Sequence, residues 1–242
     1  MEISVIASGS NGNSCLVESK DSSVLIDAGK SCREIEYRLN NLGKNLENVD
    51  GILMTHAHID HTLGIGPISR KYNIPVYVKK DAYDISKLGK IDVKHFKGNF
   101  KIKDLTIKPI KTSHDVPSTG FLVNNFGLFT DTGIVTNEMK DAVKKVEGML
   151  LESNHDIDML LNGRYPAFLK QRILSDNGHL SNISASSFIQ EKGNDLNFVL
   201  LGHLSGNNNT PDITKKTFET LVKRKIDFNV CSRDKESGVW EV

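Results

Sequence analysis

Short apolar runs mark the first third of the chain. Ile3–Ala7, Cys15–Glu18 and Val24–Asp27 read as strands, and Gly51–Thr55 as a buried strand. Between them, Ser31-Cys32-Arg33-Glu34 has the form of a capping box, in which Ser and Glu satisfy each other's free amides. A helix is therefore expected from Ser31, with Gly43 as its stop. Further helical segments are expected near Leu63–Tyr72 and Lys80–Lys87, with Pro75–Val78 a short strand between them. Phe100–Lys103 and Leu105–Lys111 alternate apolar and polar positions, as half-buried strands do. Phe121–Asn124 and Gly127–Thr130 form a hairpin through Asn125-Phe126.

The second half mixes the two periods. A helix over Asn137–Val146 precedes a strand over Met149–Glu152, and two helices are expected between Asp156 and Ser175. Another helix lies near Ile183–Gln190, followed by a buried strand over Phe198–Leu201. Thr210-Pro211 opens a helix with a hydroxyl cap and a proline in the first turn. The last strand lies around Phe228–Cys231. With no repeat or long linker, the pattern predicts one α/β layered domain with mixed sheets over residues 1–242.

Composition narrows the classes. The 242 residues are 38% hydrophobic and 25% charged, which fits a globular chain and excludes a disordered one. The longest large-apolar runs are about four residues, where a membrane helix needs roughly 20. The start, Met1-Glu2, lacks the basic opening of a signal peptide, so a cytoplasmic protein with no membrane partner is expected. Cys15, Cys32 and Cys231 are odd in number and contain no CxxC pair, which disfavours both a disulfide framework and a cysteine zinc site. Net charge is +1, but ten lysines face four acids between Lys79 and Lys111. Seven Lys or Arg face three acids between Lys215 and Lys235. Such surfaces can hold a polyanion through its phosphates, and lysines from Lys79–Lys111 or Lys215–Lys235 are expected to border the site described next.

The densest chemistry is Thr55-His56-Ala57-His58-Ile59-Asp60-His61, directly after a buried strand. His56 and His58 project to one side of an extended turn, and Asp60 and His61 begin the next helix. Imidazole and carboxylate are the ligand set of zinc and related ions. Further candidates stand at later strand ends: His114, Asp131 and His203, with Asp27 ending an early strand. Asp131-Thr132-Gly133 also matches an aspartic-protease triplet, but that chemistry needs a second aspartate and the chain has no second such triplet.

The HxHxDH run resembles the signature of the metallo-β-lactamase superfamily. The resemblance implies a four-layer αββα sandwich with two metals at one edge of the sheets. It assigns His56, His58 and His114 to one metal and Asp60, His61 and His203 to the other, with Asp131 bridging both. Asp27 would orient a ligand histidine through its ring NH. A water shared by the two ions would be acidified to hydroxide, and zinc is the default metal, with manganese or iron as alternatives.

Other motifs narrow the substrate. They are Ala7-Ser8-Gly9-Ser10-Asn11-Gly12-Asn13-Ser14, Ser113-His114-Asp115, Leu151-Glu152-Ser153-Asn154-His155-Asp156, Gly178-His179-Leu180-Ser181-Asn182 and Gly202-His203-Leu204-Ser205-Gly206-Asn207-Asn208-Asn209. Together they are similar to the YycJ/WalJ group of the superfamily, over about residues 3 to 215. That resemblance implies a DNA exonuclease acting on 5′ ends, with DNA ahead of RNA as partner. Asp60 and His179 would be catalytic, His179 stabilising phosphate or protonating the leaving oxygen. Ser10, Asn11, Asn13, His155, Ser181 and Asn208 are candidate substrate contacts. The Gly9–Gly12 loop could offer backbone amides to a phosphate. The interval from Asp131 to His203 is too short for an inserted β-CASP domain, and no long tRNA-binding arm is visible. A small thioester or lactone hydrolase on the same metal core, or a metal-binding sensor without turnover, are the alternatives. Oligomeric state is left open by the sequence.

Overall fold

The structure is a computed structural model and describes residues 1–80 and 85–242. The chain divides into two compact units, Met1–Pro109 with Arg233–Val242, and Ile110–Ser232. In chain order the first runs β1 (Glu2–Ala7), β2 (Ser14–Glu18), β3 (Ser23–Ile26), α1 (Cys32–Asn41), β4 (Gly51–Leu53), α2 (Ile59–Thr62), α3 (Ile65–Tyr72), β5 (Val76–Lys79), β6 (Val93–Phe96), β7 (Phe100–Ile102) and most of β8 (Leu105–Lys111). The second holds β9 (Thr119–Val123), β10 (Phe126–Phe129), α4 (Asn137–Ala142), β11 (Gly148–Glu152), α5 (Ile157–Asn162), α6 (Ala167–Leu174), α7 (Asn182–Lys192), β12 (Phe198–Gly202), α8 (Pro211–Leu221) and β13 (Asp227–Val230). β14 (Val239–Glu241) returns to the first unit.

Two seven-stranded sheets result, ordered β14-β1-β2-β3-β4-β5-β6 and β13-β12-β11-β10-β9-β8-β7. Each is mixed. β1, β2 and β3 pair antiparallel, whereas β3, β4, β5 and β6 pair in parallel. β10 through β13 are parallel, and β9 joins them antiparallel. Every residue of β3, β4, β10, β11 and β12 is buried, which is why these segments read as continuous apolar runs rather than alternating ones.

Each unit has its own core. In the first, Ile6, Leu16, Leu25 and Ile52 of the sheet pack with Ile35 and Leu39 of α1 and Ile65 and Ile68 of α3. In the second, Leu122, Phe129, Leu151 and Leu201 pack with Met139 of α4, Phe188 and Ile189 of α7 and Phe218 of α8.

Local details depart from the expected ones in instructive ways. Ser31 Oγ accepts from the Glu34 amide, but the Glu34 carboxylate turns to Arg38 instead of closing the box. Arg38 is buried and also donates to the carbonyls of Ile6 and Asp234, so its guanidinium outcompetes a backbone amide for that carboxylate. Gly43, at φ +70, ends α1 with Gly43 N–H on Asn40 O and Lys44 N–H on Leu39 O, the Schellman pattern. The hairpin turns at Asn124-Asn125, one residue earlier than expected. Asn124 takes the left-handed conformation at φ +49, and Phe126 is fully buried in the strand rather than in the turn. β6 and β14 were not anticipated; both are short, and β14 pairs at the sheet edge. Of the helix expected at Lys80–Lys87, residues 81–84 lie outside the described residues, and Ser86–Leu88 is a single 3₁₀ turn.

Candidate active site

In the first unit the histidines leave the C-terminal end of β4. Met54 and Thr55 continue from Leu53, and His58 caps α2 in an extended conformation. The His56 ring centroid lies 4.7 Å from that of His58 and 4.1 Å from that of His61. Behind them Asp27, just past β3, has φ +58, a strained conformation for a residue with a Cβ. That conformation aims its carboxylate at the histidine run. Asp27 Oδ1 accepts the Thr55 amide at 2.9 Å and Oδ2 accepts the Thr55 hydroxyl at 2.7 Å. His61 Nδ1 lies 2.7 Å from Asp27 Oδ2, and His56 Nδ1 lies 3.0 Å from Thr55 Oγ1. Both rings therefore use Nδ1–H as a donor to fixed oxygens, which puts the lone pair on Nε2. Burial raises the Asp27 carboxyl, against the His61 and Thr55 contacts that favour the carboxylate.

The Gly9–Gly12 loop sits against this group. Two of its amides are committed, Gly12 N–H to Gly9 O and Gly9 N–H to Asn13 Oδ1, and the following amide, Asn13 N–H, bonds Asp60 O. The amides of Gly9 and Gly12 are thus not offered to a phosphate. Instead Asn13 Nδ2 lies 3.0 Å from His61 Nε2, a contact that a metal on that nitrogen would displace. A Cβ on Gly29 would stand 1.7 Å from Asp60 O, so only glycine lets the chain pass there. Ser10 and Asn11 are exposed at the loop tip, whereas Asn13 is buried.

In the second unit the chemistry again gathers at strand ends. Asp131 follows β10 with φ +57, and His203 follows β12 with φ +56. Glu152 is the last residue of β11 and is fully buried. His179 precedes α7, whose N-cap is Ser181. One ligand atom from each of Asp131, Glu152, His179 and His203 lies within 4.8 Å of the others. His203 Nδ1 is 3.0 Å from Asp131 Oδ2. Glu152 Oε1 lies 2.7 Å from His179 Nδ1, while Oε2 accepts the amides of Thr132 at 2.9 Å and Leu180 at 3.3 Å. The His179 backbone is fixed too, its N–H donating to Ile173 O of α6 at 3.0 Å. With Nδ1–H donated to Glu152, the ring lone pair is on Nε2.

His114, in the loop after β8, donates Nδ1–H to Gly178 O at 3.2 Å. Its Nε2 lies 3.2 Å from Asp115 Oδ1 and 3.7 Å from Asp131 Oδ1. Asp115 is held in turn by an ion pair with Arg172 of α6. Burial pushes the His114 pKa down, which keeps the ring neutral and its lone pair available. A neutral His114 ring beside carboxylates, oriented through the nitrogen not needed for ligation, fits a divalent metal.

Three candidate substrate residues are placed differently. His155 is 1% exposed and Asn208 likewise, and burial pushes the His155 pKa down to about 4. The Asp156 amide bonds Asn208 O, so this stretch serves to hold the loops after β11 and β12 together. Ser181 Oγ accepts the Ser184 amide and caps α7. His95 is exposed on β6. Sequence reasoning missed two residues, Glu152 and Thr55. Glu152 carried a signal, since a carboxylate ending a run as apolar as Gly148–Leu151 must be bonded or it would be too costly to bury. Thr55 carried none beyond its neighbours.

A match to the family described as the metallo-beta-lactamase superfamily covers residues 7–129. Exodeoxyribonuclease WalJ of Streptococcus pneumoniae is 40% identical, over 94% of this chain and 92% of that one. Exodeoxyribonuclease YycJ of Bacillus anthracis is 35% identical, over 93% and 90%. Among solved structures, the metallo-β-lactamase fold protein YhfI from Bacillus subtilis aligns with a TM-score of 0.76 at 21% identity, covering 100% of this chain and 98% of that one.

Proposed function

This chain belongs to the metallo-β-lactamase superfamily, and from that premise we propose that it is a dinuclear metal-dependent DNA exonuclease acting from 5′ ends. The observation that carries the reading is similarity along almost the whole chain to two exodeoxyribonucleases, with no large segment of either left unmatched. In this reading residues 1–242 work as one hydrolase domain of αββα type. His56, His58 and His114 hold one ion, and Asp60, His61 and His203 the other, with Asp131 between them. Zinc is the preferred ion, with manganese or iron as alternatives, and the protein works in the cytoplasm.

When bound, the ions supply Lewis-acid charge and a nucleophile usable at neutral pH. The chain's own residues do the rest. Asp27 and Thr55 fix the His56 and His61 rings through Nδ1. Glu152 holds the Nδ1 proton of His179, so His179 presents Nε2 to the scissile phosphate. A protonated Nε2 stabilises the charge on a phosphate oxygen and can pass its proton to the leaving 3′ oxygen. A thioester or lactone leaving group has less need of such a donor.

End-labelled single- and double-stranded DNA and RNA, each with Zn²⁺ and Mn²⁺ separately, test the reading. The expected result is stepwise loss of nucleotides from DNA 5′ ends. Hydrolysis of small thioesters or lactones with DNA left intact would replace it, and metal binding without turnover on any substrate would leave a sensor.

A further inference from the structure

A cavity of about 460 Å³ opens in the first unit beside His58. That volume lies within the range of ligand pockets, roughly 300–1,000 Å³. Its wall on the α2–α3 side is apolar: Ile59, Leu63 and Pro67 line it, although Ile59 is 68% and Leu63 50% exposed. Large apolar side chains left uncovered around a cavity are what a planar ligand face would cover. Two cations complete the lining, Arg70 of α3 and Lys87, both exposed. Arg70 spends one guanidinium nitrogen on Leu88 O at 2.6 Å, which fixes the group at the cavity wall and leaves its other donors available. Lys87 belongs to the lysine-rich stretch singled out in the sequence, and no ion pair ties it to another described residue.

We propose that this cavity is a subsite for one nucleotide, the terminal one of the strand being degraded. Its base and sugar lie on Ile59, Leu63 and Pro67, and its terminal phosphate meets Lys87 and Arg70. The arrangement pairs an apolar surface that a base and sugar would cover with cations for the phosphate. Because His58 forms part of the same cavity wall, a nucleotide seated there has its far phosphodiester next to the histidine run. The subsite rests on the exonuclease reading for its role, but not for its ligand chemistry.

Two measurements separate the subsite from that reading. The first is binding of deoxyadenosine 5′-monophosphate to the metal-loaded protein by calorimetry, for wild type, Lys87→Glu and Leu63→Asp. Each substitution is expected to weaken binding at least tenfold while metal content and melting temperature stay at wild-type values. The second compares exonuclease turnover on duplexes with a 5′-phosphate and a 5′-hydroxyl. Wild type should prefer the phosphate, and Lys87→Glu should bring the ratio close to one. Nucleotide binding that depends on Lys87 in a protein that cuts no DNA would keep the subsite and remove the nuclease reading. Active exonuclease in which Lys87→Glu and Leu63→Asp change neither nucleotide affinity nor end preference would overturn the subsite and keep the nuclease. A wild type that binds no nucleotide overturns the subsite outright.

Discussion

Glu152 Oε1 and His179 Nδ1 stand 2.7 Å apart, with the glutamate fully buried and the histidine side chain 19% exposed. The pair has the shape of an orienting carboxylate behind a working imidazole. Glu152 is also pinned by two backbone amides, so it cannot follow the histidine if the ring moves.

His179→Ala is expected to lower DNA turnover by roughly 10²–10⁴, the range for a lost acid/base group. Glu152→Gln should fall in the same direction, and the double variant should be little worse than the worse single one, because the two act as one unit. A nitrophenyl phosphodiester, whose leaving group needs little protonation, should lose less than DNA does if His179 is the acid. Equal losses on both substrates assign it to phosphate stabilisation, and unchanged DNA turnover contradicts both roles.

Asp27 reaches the histidine run through His61 and Thr55. Asp27→Asn should therefore leave every ligand in place yet weaken metal binding by roughly 10–100-fold, as lost orienting carboxylates do. Competition against a chelator of known affinity reads this directly. An unchanged dissociation constant would mean that the ring orientations are set elsewhere.

The three cysteines should be inert. Cys15 and Cys231 are buried, and Cys32 donates to Glu36 at 2.9 Å, which with burial pushes its thiol up to about 11. A raised thiol pKa depletes the thiolate below it, so at pH 8 Cys32 is roughly 0.1% ionised. A disulfide reagent at that pH should label the folded protein very slowly and all three thiols after denaturation. Rapid labelling of native Cys32 would contradict the Cys32–Glu36 contact.

If the lysine-rich stretches meet DNA, the logarithm of the binding constant should fall linearly with the logarithm of salt, by about 0.9 for each phosphate neutralised. Fluorescence anisotropy on a labelled duplex between 50 and 200 mM salt is sufficient. A flat response would return these lysines to solvated surface. Some already have local partners: Lys103 pairs with Asp50, Lys94 with Asp92 and Lys215 with Glu219.

Much of this was legible in the sequence for a physical reason. Strands buried along their whole length read as apolar runs, so β3, β4, β10 and β12 announce themselves, and polar residues just past their ends stand out as chemistry. Asp27, His56, Asp131 and His203 were found that way. What stayed hidden depends on geometry that no spacing encodes. The left-handed backbone at Asp27, Asp131 and His203 aims their side chains, yet leaves no glycine or asparagine to mark it. The Glu34 carboxylate was claimed by an arginine four residues on. The loop amides of Gly9 and Gly12 looked open to phosphate and are closed by Asn13 and by each other.

The central claim is that two metal ions on this chain serve hydrolysis of DNA. Titrating metal back into the stripped protein, and following exonuclease turnover against metal equivalents, tests it most directly. Turnover should be absent without metal, rise with added Zn²⁺ or Mn²⁺ and level off at two equivalents per chain, whereas Asp131→Ala should retain neither metal nor activity. DNA hydrolysis that persists in the stripped protein, or that levels off at a single equivalent, would contradict the account.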